Sequence, residues 1–515
     1  MTGAPTPIRK GRRKRALEVA TPVRTVDYRT LRNPFPRMKI FSDDEVHAIH
    51  HDALNVLETL GLKVLLPEAR AIFAKAGCKV DESDEMVWIG REAVEEALKT
   101  APASVTLRSG NPERTVLYEP GALIFMAGAG APHATDLERG RRPGSNRDFR
   151  EFTRLIQHFD VLPILGPAIE PQDVPSHLRH YAFMDAQLTL SDKIPFTYAR
   201  GTPQVEEVFE MLADFHGLSQ TQFEADPWTY TIINTNSPRQ IDIPMAQGLI
   251  DFARAKQMSI VTPFTLMGAM APITVAGALT LSHTEALAAI VLTQLVRPGA
   301  PVSYGTFTSN VDMKSGAPIF GTPEHMRASV GAGQLADLVG LPWRSATGSA
   351  ANLGDAQAAN ETQFGLWGNL LAGATVIMHA AGWLEGGLTV SYEKLITDLE
   401  VIQSVAELCV PTPADTAARA VDALTEVQPG GHFFGAAHTM QRYQTEFYAP
   451  LVHDFSNYGT WADRGGEDAT QRATAVWKRI LSEDARPRVD PDKVDALMAY
   501  IARKTQAGGA PPVSS

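Results

Sequence analysis

Seven short apolar segments constrain this chain more than any other feature. They are VLPILGPAIE (161–170), KIPFTYA (193–199), TYTIINTN (229–236), MSIVTPFT (258–265), PVSYGTFT (301–308), LPWRSATG (341–348) and ATVIMHAA (374–381). Their starts lie 32, 36, 29, 43, 40 and 33 residues apart. Helix-like runs such as TEALAAIVLTQLV and ETQFGLWGNLLAG fill the gaps. Each interval has the length of one strand, one helix and two loops. With an eighth strand expected near HFFG (432–435), the rhythm predicts an α/β fold, a TIM (β/α)8 barrel. An open doubly wound sheet produces the same alternation. The nucleotide-binding signatures of open sheets are missing, however: no GxGxxG follows the first strand and no GxxxxGK[ST] occurs.

The flanks differ from this repeat. SDDEVHAIHHDALNVLETLG begins with Ser42 and Glu45 at capping-box spacing and is stopped by Gly61. Further helices at 67–76 and 91–99 and short strands near MVWIG, SVTLRS, RTVLYE and ALIFMAG follow. The expected organisation is a basic, disordered arm (1–34) and an N-terminal α+β extension (35–160). A barrel with a C-terminal helical cap (161–485) and a terminal helix with a flexible tail (486–515) complete it. The first fifteen residues carry six basic side chains, whereas the rest of the chain is strongly acidic against a net charge of −11. An acidic body repels phosphates, which argues against a nucleic-acid protein. Basic residues without a following apolar segment do not make a signal peptide, and no apolar run reads as a bilayer span. A cytoplasmic enzyme is expected, with Cys78 and Cys409 matching no zinc or CxxC spacing and no tightly bound metal.

In a barrel, chemistry gathers at the carboxyl ends of the strands. Those positions hold Glu170, Asn234, Asn236, Phe264, Tyr304, Thr306, Arg344, His379, Trp383 and Glu385. Buried polar groups at such places need a partner or a task. Each also has a plainer reading: the asparagines as loop caps, His379 as a core histidine, Tyr304 and Phe264 as barrel packing. In GTPEHM, Pro323 and Glu324 suit the first turn of a helix. In LGDAQAANE, Asp355, Gln357 and Glu361 open another helix, where Asp355 is an equally good N-cap. The stretch QPGGHFFGAAHTMQRYQTEFYAP combines Gly-rich turns with His432, Phe433 and His438. It suits a lid or partner contact better than a metal site.

Four motifs, SGAPIFGTPE (315–324), GDAQAANET (354–362), HAAGWLEGGLTVSYEK (379–394) and PGGHFFGAAHT (429–439), resemble the trimethylamine methyltransferase family of corrinoid-dependent enzymes. They occur in family order, and the similarity spans about 35–485. The resemblance implies a TIM barrel whose open end receives a separate corrinoid (cobalamin) protein, with a methyl group passing from an amine to cobalt. One branch of the family carries pyrrolysine; this sequence has only ordinary residues, which aligns it with the branch that includes glycine betaine methyltransferases. A quaternary ammonium leaves as a neutral amine without acid catalysis, so such a site needs aromatic faces for a cation. Trp383, Tyr304, Phe264 and Phe433 are the candidate faces, and Glu385 or Glu361 the charge balance. Arg344, or backbone N–H groups of the Gly-rich turns, is the candidate carboxylate anchor, and Asn234 a further substrate contact. His379 and Glu385 are the catalytic candidates, and Gly386, Gly387, His432 and His438 are assigned to the corrinoid side. The same fold with carnitine, proline betaine, choline or trimethylamine as substrate stays open. So does a non-catalytic binder of quaternary amines, and so does self-association.

Overall fold

The computed structural model describes residues 27–483 and 487–513, so the basic cluster at 9–15 lies outside the described residues. Two compact units are distinguished: a large one holding 27–410 with the chain from 450 onward, and a small one holding 411–449.

The elements that carry the site are, in chain order, β1 (Ile124–Phe125), α1 (Asn146–His158), β2 (Tyr230–Ile233), β3 (Met258–Val261) and α2 (Val275–Val296). They continue as β4 (Val302–Gly305), α3 (Pro323–Val339), β5 (Trp343–Ala346), α4 (Ala356–Leu371), β6 (Val376–Met378) and α5 (Tyr392–Cys409). Six strands form one curled parallel sheet in the order β1-β6-β5-β4-β3-β2. Its register runs through Phe125↔Ile377, Ile377↔Ser345, Arg344↔Gly305, Val302↔Ser259 and Ser259↔Thr231. Past β2, parallel bridges join Tyr230 to Phe196 and Ile194 to Ile164. A further parallel bridge joins Ile169 to Ala131, six residues beyond β1. All seven apolar segments therefore enter parallel pairing.

HFFG does not supply an eighth strand. It has no strand structure and lies in the small unit. The strand beside β6 is β1, from ALIFMAG in the segment expected as an N-terminal extension. A strand's sequence announces that it is buried, not which distant strand it pairs with.

Helix ends follow local chemistry. Ser42 and Ser145 each close a capping box, with Glu45 and Asp148. Thr322 caps α3 with Pro323 in its first turn, and Asp355 caps α4 by accepting from Gln357 and Ala358. By length and apolar composition α2 meets the test for a bilayer span, contrary to expectation. It is instead a core helix. His283 and Glu285 within it are fully buried and hydrogen-bonded, to Tyr304 and to Thr235 and Ser237. The helix Ala469–Ser482 buries Ala473, Trp477 and Ile480 as an amphipathic cap should, and its Trp477 donates to Glu393 on α5.

Both expected disordered ends are partly ordered. Leu31 is buried, its carbonyl accepts from Leu123, and Asn33 donates to Leu370. At the other end Ala510 donates to His177, Val513 donates to Arg200, and Gln204 donates to Ala510. Polar, Gly-rich composition hid these contacts because each ends on a backbone carbonyl, met by a backbone N–H or by the side-chain amide of Asn33 or Gln204.

Candidate active site

A cavity of about 340 Å³ opens at the carboxyl ends of the parallel strands. Phe196, Tyr198, Asn234, Phe264, Phe307, Arg344, Met378, His379 and Trp383 line it, together with backbone at Gly130, Gly386 and Gly387. No carboxylate is among its lining residues.

The wall on one side grows from β6. Directly after Met378 the chain turns, with His379 at φ 55°, a left-handed conformation that costs a non-glycine residue about 1–2 kcal/mol. Two bonds brace the turn: Ala380 donates to the Met126 carbonyl, and Ala129 N–H donates to His379 Nδ1 at 3.2 Å. Because Nδ1 accepts, the neutral ring carries its proton on Nε2. Burial, and then the charge of Arg344, hold the His379 pKa well below the usual 6.5, so the ring is neutral at physiological pH. Trp383 stacks on it, ring centroids 4.3 Å apart and planes 18° from parallel. The Trp383 Nε1 is buried with no hydrogen-bond partner among the described residues.

Phe307 supplies the facing wall. It lies 5.0 Å from Phe264 and 5.5 Å from His379 and stacks on Phe320 behind it at 5.1 Å. His325 holds that backing in place, its Nδ1 accepting from Gly321.

Arg344, on β5, is 2% exposed. It donates to Thr262 Oγ1 at 2.7 Å, to the Thr306 carbonyl at 3.3 Å and to Met378 Sδ, and sits 5.3 Å from the Phe307 ring centre. It makes no ion pair among the described residues. Burial pushes its pKa down to about 9, which still leaves the guanidinium charged at neutral pH. The cavity is thus an aromatic chamber with one fixed, unpaired positive charge.

The structure brings His379, Trp383, Arg344, Phe264, Asn234, Gly386 and Gly387 to this cavity and sends other candidates elsewhere. Tyr304 does not line it; its hydroxyl meets His283 on α2 at 2.9 Å, on the far side of β4. Thr306 is occupied by Trp343 and Arg344. Glu361 is not a charge balance for a ligand: it accepts from Ser349 Oγ at 2.7 Å, from the N–H groups of Ala350 and Ala351, and from Gln357. The loop it shapes receives Glu385 and Gly386, whose N–H groups donate to Ala351 and Ser349. Glu385 is tied to Arg141 by paired bonds of 2.9 Å. Burial raises its pKa, but the hydrogen bonds and charge of Arg141 outweigh this and hold it below 4.5. It fastens the cavity rim to the hairpin carrying Arg141 and does not face the chamber. Glu170 is spent on Arg179 and Arg200, and Asn236 on Asp242. Phe433, His432 and His438 belong to the small unit, whereas every cavity-lining residue comes from the large one.

Sequence reading overlooked Phe307, Phe196, Tyr198 and Met378. Signals existed. Phe196 and Tyr198 stand two apart in KIPFTYA, the spacing of one strand face. In PVSYGTFT the residues picked out were Tyr304 and Thr306, and Phe307, of opposite parity, is the one that reaches the cavity.

A chamber at the carboxyl ends of parallel strands, apolar with a few convergent polar groups, defines an α/β enzyme acting on a small molecule. The model for the trimethylamine methyltransferase (MTTB) family matches residues 8–509, and the chain belongs to that family as one of its methyltransferases. It is 33% identical over 476 residues to the glycine betaine methyltransferase of Desulfitobacterium hafniense, covering 92% of this chain and 98% of that one. It is 31% identical to the trimethylamine methyltransferase MttB of the same species, covering 90% and 94%. The solved monomethylamine methyltransferase of Methanosarcina barkeri overlays with a TM-score of 0.48 at 8% identity, covering 87% and 96%. Among the described residues no His, Cys, Asp and Glu group is arranged to hold a metal ion.

Proposed function

We propose that the enzyme takes a methyl group from a quaternary amine bearing a carboxylate, glycine betaine or a close analogue, and passes it to the reduced corrinoid of a partner protein. The observation that carries this reading is Arg344. A buried guanidinium with no carboxylate of its own, in a chamber lacking acidic residues, favours a ligand that brings an anionic group. The same charge repels a plain cation such as trimethylammonium or choline. Trp383, Phe307 and Phe264 offer aromatic faces to the ammonium end of a zwitterion, at about 0.5–2 kcal/mol for a desolvated cation.

The reaction asks little acid–base work of the protein. The carbon–nitrogen bond breaks, its electron pair stays on nitrogen, and a neutral tertiary amine leaves without a proton. A neutral His379 and an acid-free cavity agree with that requirement. The parallel bridges from β2 through 196, 194, 164 and 169 to Ala131 support a closed (β/α)8 barrel around the chamber.

The family's corrinoid supplies, when bound, the nucleophile that accepts the methyl group. The rim suits approach of a flat macrocycle. At Gly130 an added Cβ would meet nothing within 4 Å, at Gly386 nothing nearer than 3.6 Å, and the neighbouring Leu388 is 54% exposed. Gly130, Gly386 and Leu388 would face that group, while the aromatic wall holds and orients the amine and excludes water.

The test is methyl transfer to reduced cobalamin or a cognate corrinoid protein across a panel of amines. Glycine betaine or another ammonium carboxylate is expected to react, and choline and trimethylamine to react poorly. Turnover of trimethylamine with none of any zwitterion would overturn the proposal.

A further inference from the structure

We infer that Asp398, through the backbone of Gly382, positions the His379–Trp383 wall of the cavity, with Lys394 holding the Asp398 carboxyl group in place. Asp398 lies on α5, outside the cavity lining. Its Oδ2 accepts from Gly382 N–H at 2.8 Å, in the middle of the turn that carries both rings. Gly382 has φ 86°, and its carbonyl accepts from Ser391 at 2.8 Å. The bond to Asp398 therefore fixes the peptide that enters left-handed Gly382, three residues after left-handed His379.

Lys394, one helical turn earlier on α5, donates to both Asp398 oxygens at 2.8 and 2.9 Å. It also donates to Thr362 Oγ1 on α4 at 2.9 Å. The Thr362 carbonyl accepts from Thr347, whose own N–H donates to the Met378 carbonyl at the end of β6. The pair thus holds the turn from both sides, at Gly382 directly and at Met378 through Thr362 and Thr347. Lys394 is 2% and Asp398 4% exposed. Burying two charges is expensive, and apolar replacements of such pairs are often neutral or stabilising to a fold. A pair held for stability alone has no need of the extra bond to Gly382; a pair that sets a strained turn does.

Two double variants separate these roles. Lys394→Met with Asp398→Leu removes both charges and the acceptor. Lys394→Gln with Asp398→Asn removes the charges and keeps an oxygen for Gly382. The first reading is amide hydrogen exchange over 378–391, which needs no substrate. The Met/Leu protein is expected to exchange there about tenfold faster than wild type, the loss of one buried hydrogen bond, and the Gln/Asn protein to stay close to wild type. The second reading, which rests on the proposed function, is turnover of glycine betaine. KM is expected to rise about tenfold in the Met/Leu protein with kcat changed far less, and to recover in the Gln/Asn protein. Failure of wild type to turn over any zwitterion sinks the proposed function and leaves the exchange result standing. Equal exchange and equal KM in all three proteins would overturn the positioning role. If the Met/Leu protein does not fold, the wild-type Gly382 amide decides the matter: strong protection is required, and rapid exchange refutes it.

Discussion

Replacing Arg344 with methionine should separate fold stability from function. The side chain keeps a similar length and enters surroundings that already contain Met378. Burial pulls the guanidinium pKa down to about 9, so keeping this charge out of water costs the fold on the order of several kcal/mol. Its hydrogen bonds to Thr262 and Thr306 return part of that. The variant should therefore be at least as stable as wild type, with Tm equal or higher. Binding should suffer. A charge-assisted hydrogen bond to a carboxylate is worth about 1.5–3 kcal/mol, so KM for glycine betaine should rise about 10- to 150-fold. Choline shares the trimethylammonium head and lacks the carboxylate, so its weak turnover should be unchanged or improved. The assay is steady-state methyl transfer with both substrates, beside thermal unfolding. An unchanged ratio of kcat/KM for the two substrates would refute the anchor, whatever the change in either value alone.

Two further outcomes follow from the geometry. Phe307→Leu keeps most of the volume and removes one aromatic face. KM for the quaternary amine should rise about 2- to 30-fold, while binding of tert-butylacetate, the isostere that keeps the carboxylate and replaces the ammonium nitrogen by neutral carbon, measured by competition, should hardly change; equal losses for both would point to shape alone. The second outcome concerns acid. Burial holds His283 at about 3 and His325 at about 4, below the 6.5 of an unfolded histidine. As pH falls below 6.5 the unfolded chain takes up protons that these rings refuse, so stability is full above that value and drains as pH drops toward 4. The two together give a slope of about 3 kcal/mol per pH unit. Denaturant midpoints measured between pH 7 and 4.5 should fall accordingly, and a flat profile would contradict the buried neutral state.

Much of the fold was legible because strands and helices announce themselves locally. The seven apolar segments all enter parallel pairing, Ser42 and Asp355 cap the helices their spacing suggested, and Pro323 and Glu324 stand in the first turn of α3 as expected. Closure was not legible. HFFG and ALIFMAG are similar apolar fragments, and only pairing with β6 selects the latter. Composition alone would let α2 suit a bilayer, since a membrane and a protein interior reward the same residues; its place between two strand segments is what marked TEALAAIVLTQLV as a helix of the fold.

The site divides along the same line. By itself the sequence determined the chemistry available at the strand ends: a histidine, a tryptophan and an arginine following apolar runs, with glycines where the chain turns. Tertiary structure decided which of those groups face one another. Along a strand, neighbouring side chains point to opposite sides. Hence Phe307 enters the chamber and Tyr304, three residues away, turns to His283. Carboxylates in sequence reach of the site, Glu361 and Glu385, are consumed by a loop and by Arg141, and Asp398 and Lys394 act through Gly382 from a helix beyond the lining. A carboxylate's role depends on the partner it finds, and that partner is a matter of three-dimensional proximity that no local pattern encodes.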